Sequence, residues 1–187
     1  MKIRYNAPVV LTFGLLSTVI LMLDLYAGTN LTLRLFSVPG RSAFEPSSLV
    51  HWLRLFTHVL GHASWAHLLG NVALILLLGP MLEEKYGSGR LLGMILVTAL
   101  ATGIANILLF PTGLLGASSV VFMMIILSSF ANRRGNEIPL TFILVVIIYL
   151  GREISAAFQQ NNVSEFAHLI GGLCGSVFGF LRTKGRS

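Results

Sequence analysis

Apolar residues fall in long runs along this chain, and polar residues gather in short clusters between them. A helix needs roughly 20 mostly apolar residues to cross a bilayer. On that measure the pattern predicts six membrane-spanning helices, at residues 8–27, 66–82, 91–110, 118–132, 140–151 and 166–181. The fifth is short. No internal repeat, low-complexity segment or soluble domain separates them. The expected fold is therefore all-α, a polytopic six-helix bundle forming one membrane domain over residues 1–187. The loop after the first span, about residues 28–65, carries Leu31, Leu33, Leu35, Phe36, Trp52, Leu55 and Phe56 among polar residues. An amphipathic segment of this kind is expected to lie in the membrane interface. An ordinary extramembrane loop is the alternative.

Composition supports the membrane reading. The chain is 55% hydrophobic and 11% charged, whereas a soluble domain carries about 25% charged residues. The net charge of +6 does not point to nucleic acid, because the basic residues sit at span ends rather than on one face. With the N-terminus inside, Lys2, Arg4, Lys85, Arg90, Arg133, Arg134, Arg182, Lys184 and Arg186 lie inside, nine in all. Arg34, Arg41, Arg54 and Arg152, four, lie outside. That asymmetry predicts both termini on the cytoplasmic side of the cell (plasma or inner) membrane. The first apolar run is longer than the core of a signal peptide, so it reads as a retained helix. Cys174 is the one cysteine. It excludes an intramolecular disulfide and a cysteine-based metal site, and in its apolar surroundings it reads as a small packing residue. No cofactor or metal is expected. Nothing in the pattern specifies an oligomeric state.

Polar groups inside a bilayer are costly and commonly functional. Three spans carry them at matching depth. The second begins with His67 and, one turn deeper, Asn71; the fourth begins with Ser118; the sixth begins with His168. All three spans run in the same direction, so a bundle could bring these groups together. Ser118 follows Gly113, Gly116 and Ala117, in a segment able to adopt unusual dihedrals and to present backbone N–H groups. A serine at a helix start suits a nucleophile, because negative charge develops there in acyl transfer. It also suits a plain helix cap. His168 precedes Gly171, Gly175 and Gly179, small residues at four-residue spacing that let another helix approach, and Gly172 lies one turn below it. It could serve as a general base or simply hydrogen-bond a carbonyl. His67 and Asn71 share one helix face and could both donate to an oxyanion. His58 and His62 are also four apart, but with no acidic residue between them they read as loop-stabilising groups rather than metal ligands.

Taken together, these segments resemble the rhomboid family of intramembrane serine proteases. The resemblance rests on the run from His62 through His67 to Asn71, on Gly116-Ala117-Ser118-Ser119, and on Ala167-His168-Leu169-Ile170-Gly171-Gly172. Glu84 to Ser88 also looks similar, and the likeness covers about residues 50–182. It implies Ser118 as nucleophile and His168 as general base. It implies an oxyanion hole from His67, Asn71 and the Ser118 N–H, with Gly116, Phe122, His62 and Gly172 in support. It further implies peptide hydrolysis through an acyl-enzyme, single-span transmembrane proteins as substrates, and the fifth span with residues 152–165 as gate and cap. Asp24 is the chain's one aspartate, so the pattern fits a dyad. Three positions depart from the common family pattern. Ser119 stands where many relatives have glycine. Phe122 stands where many have tyrosine, losing a hydroxyl but keeping a ring to stack. Trp52 and Arg54 are separated by Leu53, so Arg54 carries over more firmly than Trp52. The chief rival reading is a non-proteolytic rhomboid-like protein that binds or escorts membrane proteins. A small transporter or channel would need a polar path through the whole bilayer, and the polar groups occupy only its outer half.

Overall fold

The computed structural model describes residues 5–130, 138–144, 147–148 and 162–181. The principal helices are α1 (Pro8–Ala27), α2 (Leu31–Leu35), α3 (Leu49–Thr57), α4 (Trp65–Tyr86), α5 (Ser88–Leu109), α6 (Ser118–Ser129) and α7 (Asn162–Leu181), with 3-10 turns at Arg41–Ala43 and His58–Leu60. Among the described residues, three helices, α1, α4 and α5, are long and apolar enough to cross a membrane, and two shorter apolar stretches lie in α6 and α7. The first predicted span coincides with α1. The second and third are longer than expected: α4 continues past residue 82 to Tyr86, and α5 starts at Ser88. Gly87, at φ 84°, makes the reversal between them. Of the fifth predicted span, residues 140–144 and 147–148 are helical, and the rest lies outside the described residues. The proposed cap at residues 152–165 also lies mostly outside them, while α7 begins four residues before the expected 166.

Each end of α1 is tied to another element by a carboxylate. Glu83 of α4 is buried and accepts from the Val9 and Val10 N–H groups (3.0 and 3.1 Å) and from the Ser88 hydroxyl (2.7 Å). It thereby satisfies donors that a helix start leaves without a partner. At the other end Asp24 accepts from the Leu31 and Thr32 N–H groups (2.5 and 2.7 Å) and from the Thr29 hydroxyl, and so caps α2.

Eight of the twelve residues of α6 are buried, against six of twenty in α1. α6 is therefore the centre of the bundle and α1 lies at its edge. The glycines of α7 make the closest helix contact. A Cβ on Gly171 would stand 2.1 Å from the Ser119 carbonyl oxygen, and one on Gly175 would stand 2.5 Å from the Met123 carbonyl oxygen. One on Gly179 would meet the Phe130 ring at 2.5 Å. The expected small-residue approach thus exists, but Gly172 stands outside the tight row, since a Cβ there would touch only the Ile126 side chain at 3.8 Å.

The loop after α1 is folded rather than extended. Arg54 of α3 donates from Nε to the Ser37 carbonyl (2.5 Å) and from its guanidinium to the Leu33 carbonyl, closing α2 onto α3. Trp52 donates to the Pro46 carbonyl (2.9 Å) and meets Phe44 edge-on. Leu55 is buried against Gly103 of α5, while Leu49, Val50, Trp52, Leu53 and Phe56 are exposed.

The two neighbouring glycines of α7 provide a sharp test. Gly171→Ala drives a methyl into backbone that cannot move aside, and is expected to destabilise the bundle by about 1–3 kcal/mol. Gly172→Ala adds an ordinary contact and is expected to be close to neutral. Unfolding midpoints of the two variants in detergent would check this, and equal midpoints would contradict the packing.

Candidate active site

The chain entering α6 is held from several sides. Leu114 pairs antiparallel with Val38 (N–H to O, 2.8 and 3.0 Å). The Asn106 side-chain amide donates to the Thr112 carbonyl (3.2 Å) and the Pro39 carbonyl (3.4 Å). The Gly116 N–H donates to the His58 carbonyl (3.0 Å). Gly116 has φ +112°, a conformation that side chains resist. The capping alternative for Ser118 is not realised: Ala117 occupies the N-cap position and half-buried Ser118 is the first helical residue. The first N–H groups of a helix lack partners within it, so the backbone here presents donors.

His67 and Asn71 stand against this turn. Ser64 caps α4 by accepting from the His67 N–H (3.2 Å). The Nδ1 atom of His67 accepts from the Ala63 N–H (3.5 Å), which leaves the ring proton on Nε2. A Cβ on Gly116 would lie 2.7 Å from that Nε2 and 3.9 Å from the Asn71 amide nitrogen. The glycine is what allows both groups to reach the backbone just before Ser118. Asn71 is buried, and its amide nitrogen has no hydrogen-bond partner. A buried donor left unpaired costs about 1–3 kcal/mol, and it is available to an acceptor arriving at this point.

His168 comes from α7, which packs on α6. Its ring stacks on Phe122 with centroids 4.1 Å apart and planes 5° from parallel. Phe122 is one turn beyond Ser118 on α6, so the stack brings His168 to the face of α6 that starts with Ser118. Contact between Gly171 and the Ser119 backbone holds α7 at that distance. The stacking expected of Phe122 is therefore present.

A second ring of histidines supports the first. His58 is fully buried and donates from Nε2 to the Ala99 carbonyl of α5 (3.1 Å), reaching further than a local loop bond. His62 donates from Nδ1 to the Leu60 carbonyl (3.2 Å) and meets the His67 ring edge-on, 5.0 Å between centroids. Burial pushes both His58 and His62 down to about 4, and His62 is lowered further by the neighbouring His67. Both are neutral at physiological pH. Two structural ties escaped sequence reasoning. Asn106 was legible as a polar residue within an apolar run, whereas the Val38–Leu114 pairing has no local signal at all.

Apolar helices of spanning length, packed with shorter apolar helices in an all-α bundle, define a polytopic helical membrane protein. The sequence matches the Rhomboid domain over residues 50–185, and the chain belongs to the rhomboid family. It is 32% identical over 132 residues to Rhomboid protease GluP of Bacillus subtilis (strain 168), covering 68% of this chain and 25% of that protein. It is 28% identical over 156 residues to Rhomboid-related protein 1 of Caenorhabditis elegans, covering 78% and 44%. It is 24% identical over 145 residues to Rhomboid protease GlpG of Haemophilus influenzae, covering 76% and 75%. The chain thus spans a quarter of the length of the first of these relatives and under half of the second.

The buried histidines carry a pH dependence. The unfolded chain takes up protons near pH 6.5 and the folded chain only near 4. Their stabilising contribution is complete above pH 6.5 and is lost as pH falls towards 4. Thermal midpoints in detergent are expected to drop across that window and to drop less in His62→Gln. A flat profile would contradict neutral, buried histidines.

Proposed function

We propose that this chain is an intramembrane serine endopeptidase, one rhomboid-like domain over residues 1–187 with both termini cytoplasmic. The observation that carries the reading is the Phe122–His168 stack, which directs the imidazole to the Ser118 face of α6. Ser118 Oγ attacks the carbonyl carbon of a peptide bond while His168 takes its proton. His67 Nε2–H, the Asn71 amide and the Ser118 N–H receive the oxyanion, in keeping with the first two lying against Gly116. The tetrahedral intermediate collapses, the amine leaves with the proton held by His168, and an acyl group stays on Ser118. A water molecule, deprotonated by His168, then releases the acid. Substrates are single-span membrane proteins, as the family resemblance implies, cut near the outer surface, in keeping with the polar residues at the outer ends of α4, α6 and α7.

Two measurements test this. A fluorophosphonate probe is expected to label the wild-type protein and not Ser118→Ala, and to label His168→Ala about 10²-fold more slowly or worse. Equal labelling of His168→Ala would remove the dyad. Cleavage of a model single-span substrate by Asn71→Ala is expected to lose about 10²-fold in kcat. Cleavage that persists in Ser118→Ala would count against catalysis by this dyad, and a wild type that neither labels nor cleaves would favour the non-proteolytic reading.

A further inference from the structure

An apolar groove of about 440 Å³ lies between α1, α5 and the turn His58–Leu60. Val9, Phe13 and Leu16 line one wall, Leu92 and Leu96 the other, and Val59 and Leu60 close its deep end. It runs from Pro8 to Leu16 along α1 and from Ser88 to Leu96 along α5, eight residue steps on each helix, which is about 12 Å at 1.5 Å per step. Half of a hydrocarbon core about 30 Å thick is about 15 Å, so the groove has the depth of one leaflet on the N-terminal side. Leu16, Leu92 and Leu96 are also exposed on the outer surface of the bundle. The groove is therefore continuous with the face that borders lipid, and the medium that meets it is hydrocarbon.

The deep end touches the machinery of the site. Val59 and Leu60 belong to the turn whose His58 carbonyl holds the Gly116 N–H (3.0 Å). The Leu60 carbonyl holds His62 Nδ1 (3.2 Å), and the His62 ring packs on His67. One side of this turn faces the groove and the other braces the backbone before Ser118.

We propose that the groove binds one acyl chain of a bilayer phospholipid, and that this chain braces the His58–Leu60 turn and through it Gly116 and His67. The bracing rests on the protease reading; the binding does not. The full chain is reconstituted in phosphatidylcholine vesicles doped with a phosphatidylcholine carrying a diazirine on one acyl chain, and cross-links are mapped by mass spectrometry. Labelling is expected to concentrate on groove residues such as Leu60 and Leu92. It should fall several-fold in Leu96→Trp, which fills the groove, and stay unchanged in Val97→Trp, which adds the same bulk to exposed lipid-facing surface. Labelling no stronger than at Leu15 or Val19, or unaffected by Leu96→Trp, would overturn the binding. So would groove labelling that a single-span substrate displaces, since the occupant would then be a substrate helix. In detergent, added phosphatidylcholine is expected to raise substrate cleavage several-fold in the wild type and not in Leu96→Trp. Equal stimulation of both would overturn the bracing. A protein that shows groove labelling but never reacts with the fluorophosphonate would keep the lipid site and lose the protease.

Discussion

The contact between Gly171 and the Ser119 backbone is the constraint on which the rest of the site depends. With no side chain on Gly171, α7 meets the main chain of α6 directly, and Gly175 repeats the contact one turn on. Helices in lipid gain little from burying apolar surface against each other, since lipid tails are equally apolar, so close packing must hold them. The approach sets the distance at which His168 lies flat on Phe122. It also accounts for α6 being buried. Enclosed along most of its length, α6 can carry Ser118 at its first turn as a fixed point that other elements reach.

The second constraint is the need to satisfy backbone groups where water is scarce. Non-helical chain at membrane depth survives only when protein partners replace the missing water. The segment from Phe110 to Ala117 meets that condition through Val38, Asn106 and the His58 carbonyl. The ends of α1 meet it through Glu83 and Asp24. The Asn71 amide nitrogen is among the buried side-chain atoms left without a partner. It faces the turn before Ser118, where the proposed acyl transfer would develop negative charge.

Neutral histidines follow from the same surroundings. Buried His58 and His62 use one ring nitrogen each to hold a carbonyl, and neither carries charge into the bundle. His67 keeps its proton on Nε2 because Nδ1 is engaged by the Ala63 N–H. The loop after α1 thus does more than connect two spans: it fixes the tautomer of one site residue and the backbone path to another.

Much of this was legible in the chain itself. Long apolar runs determined the membrane class and most spans, because a span must be apolar over a length the bilayer dictates. Ser118, His168, His67 and Asn71 stood out because polar residues in such runs are rare. The glycines at 171, 175 and 179 announced a close helix contact through their four-residue spacing. What they meet, the Ser119 and Met123 backbone and the Phe130 ring, was decided only in three dimensions, since helical phase depends on the partner. That Ala117 rather than Ser118 takes the cap, that Leu114 pairs with Val38 and that Glu83 reaches across to α1 were likewise decided by tertiary structure. The pairing and the reach of Glu83 join residues more than seventy positions apart, and local pattern carries no record of which distant donor a buried acceptor will meet.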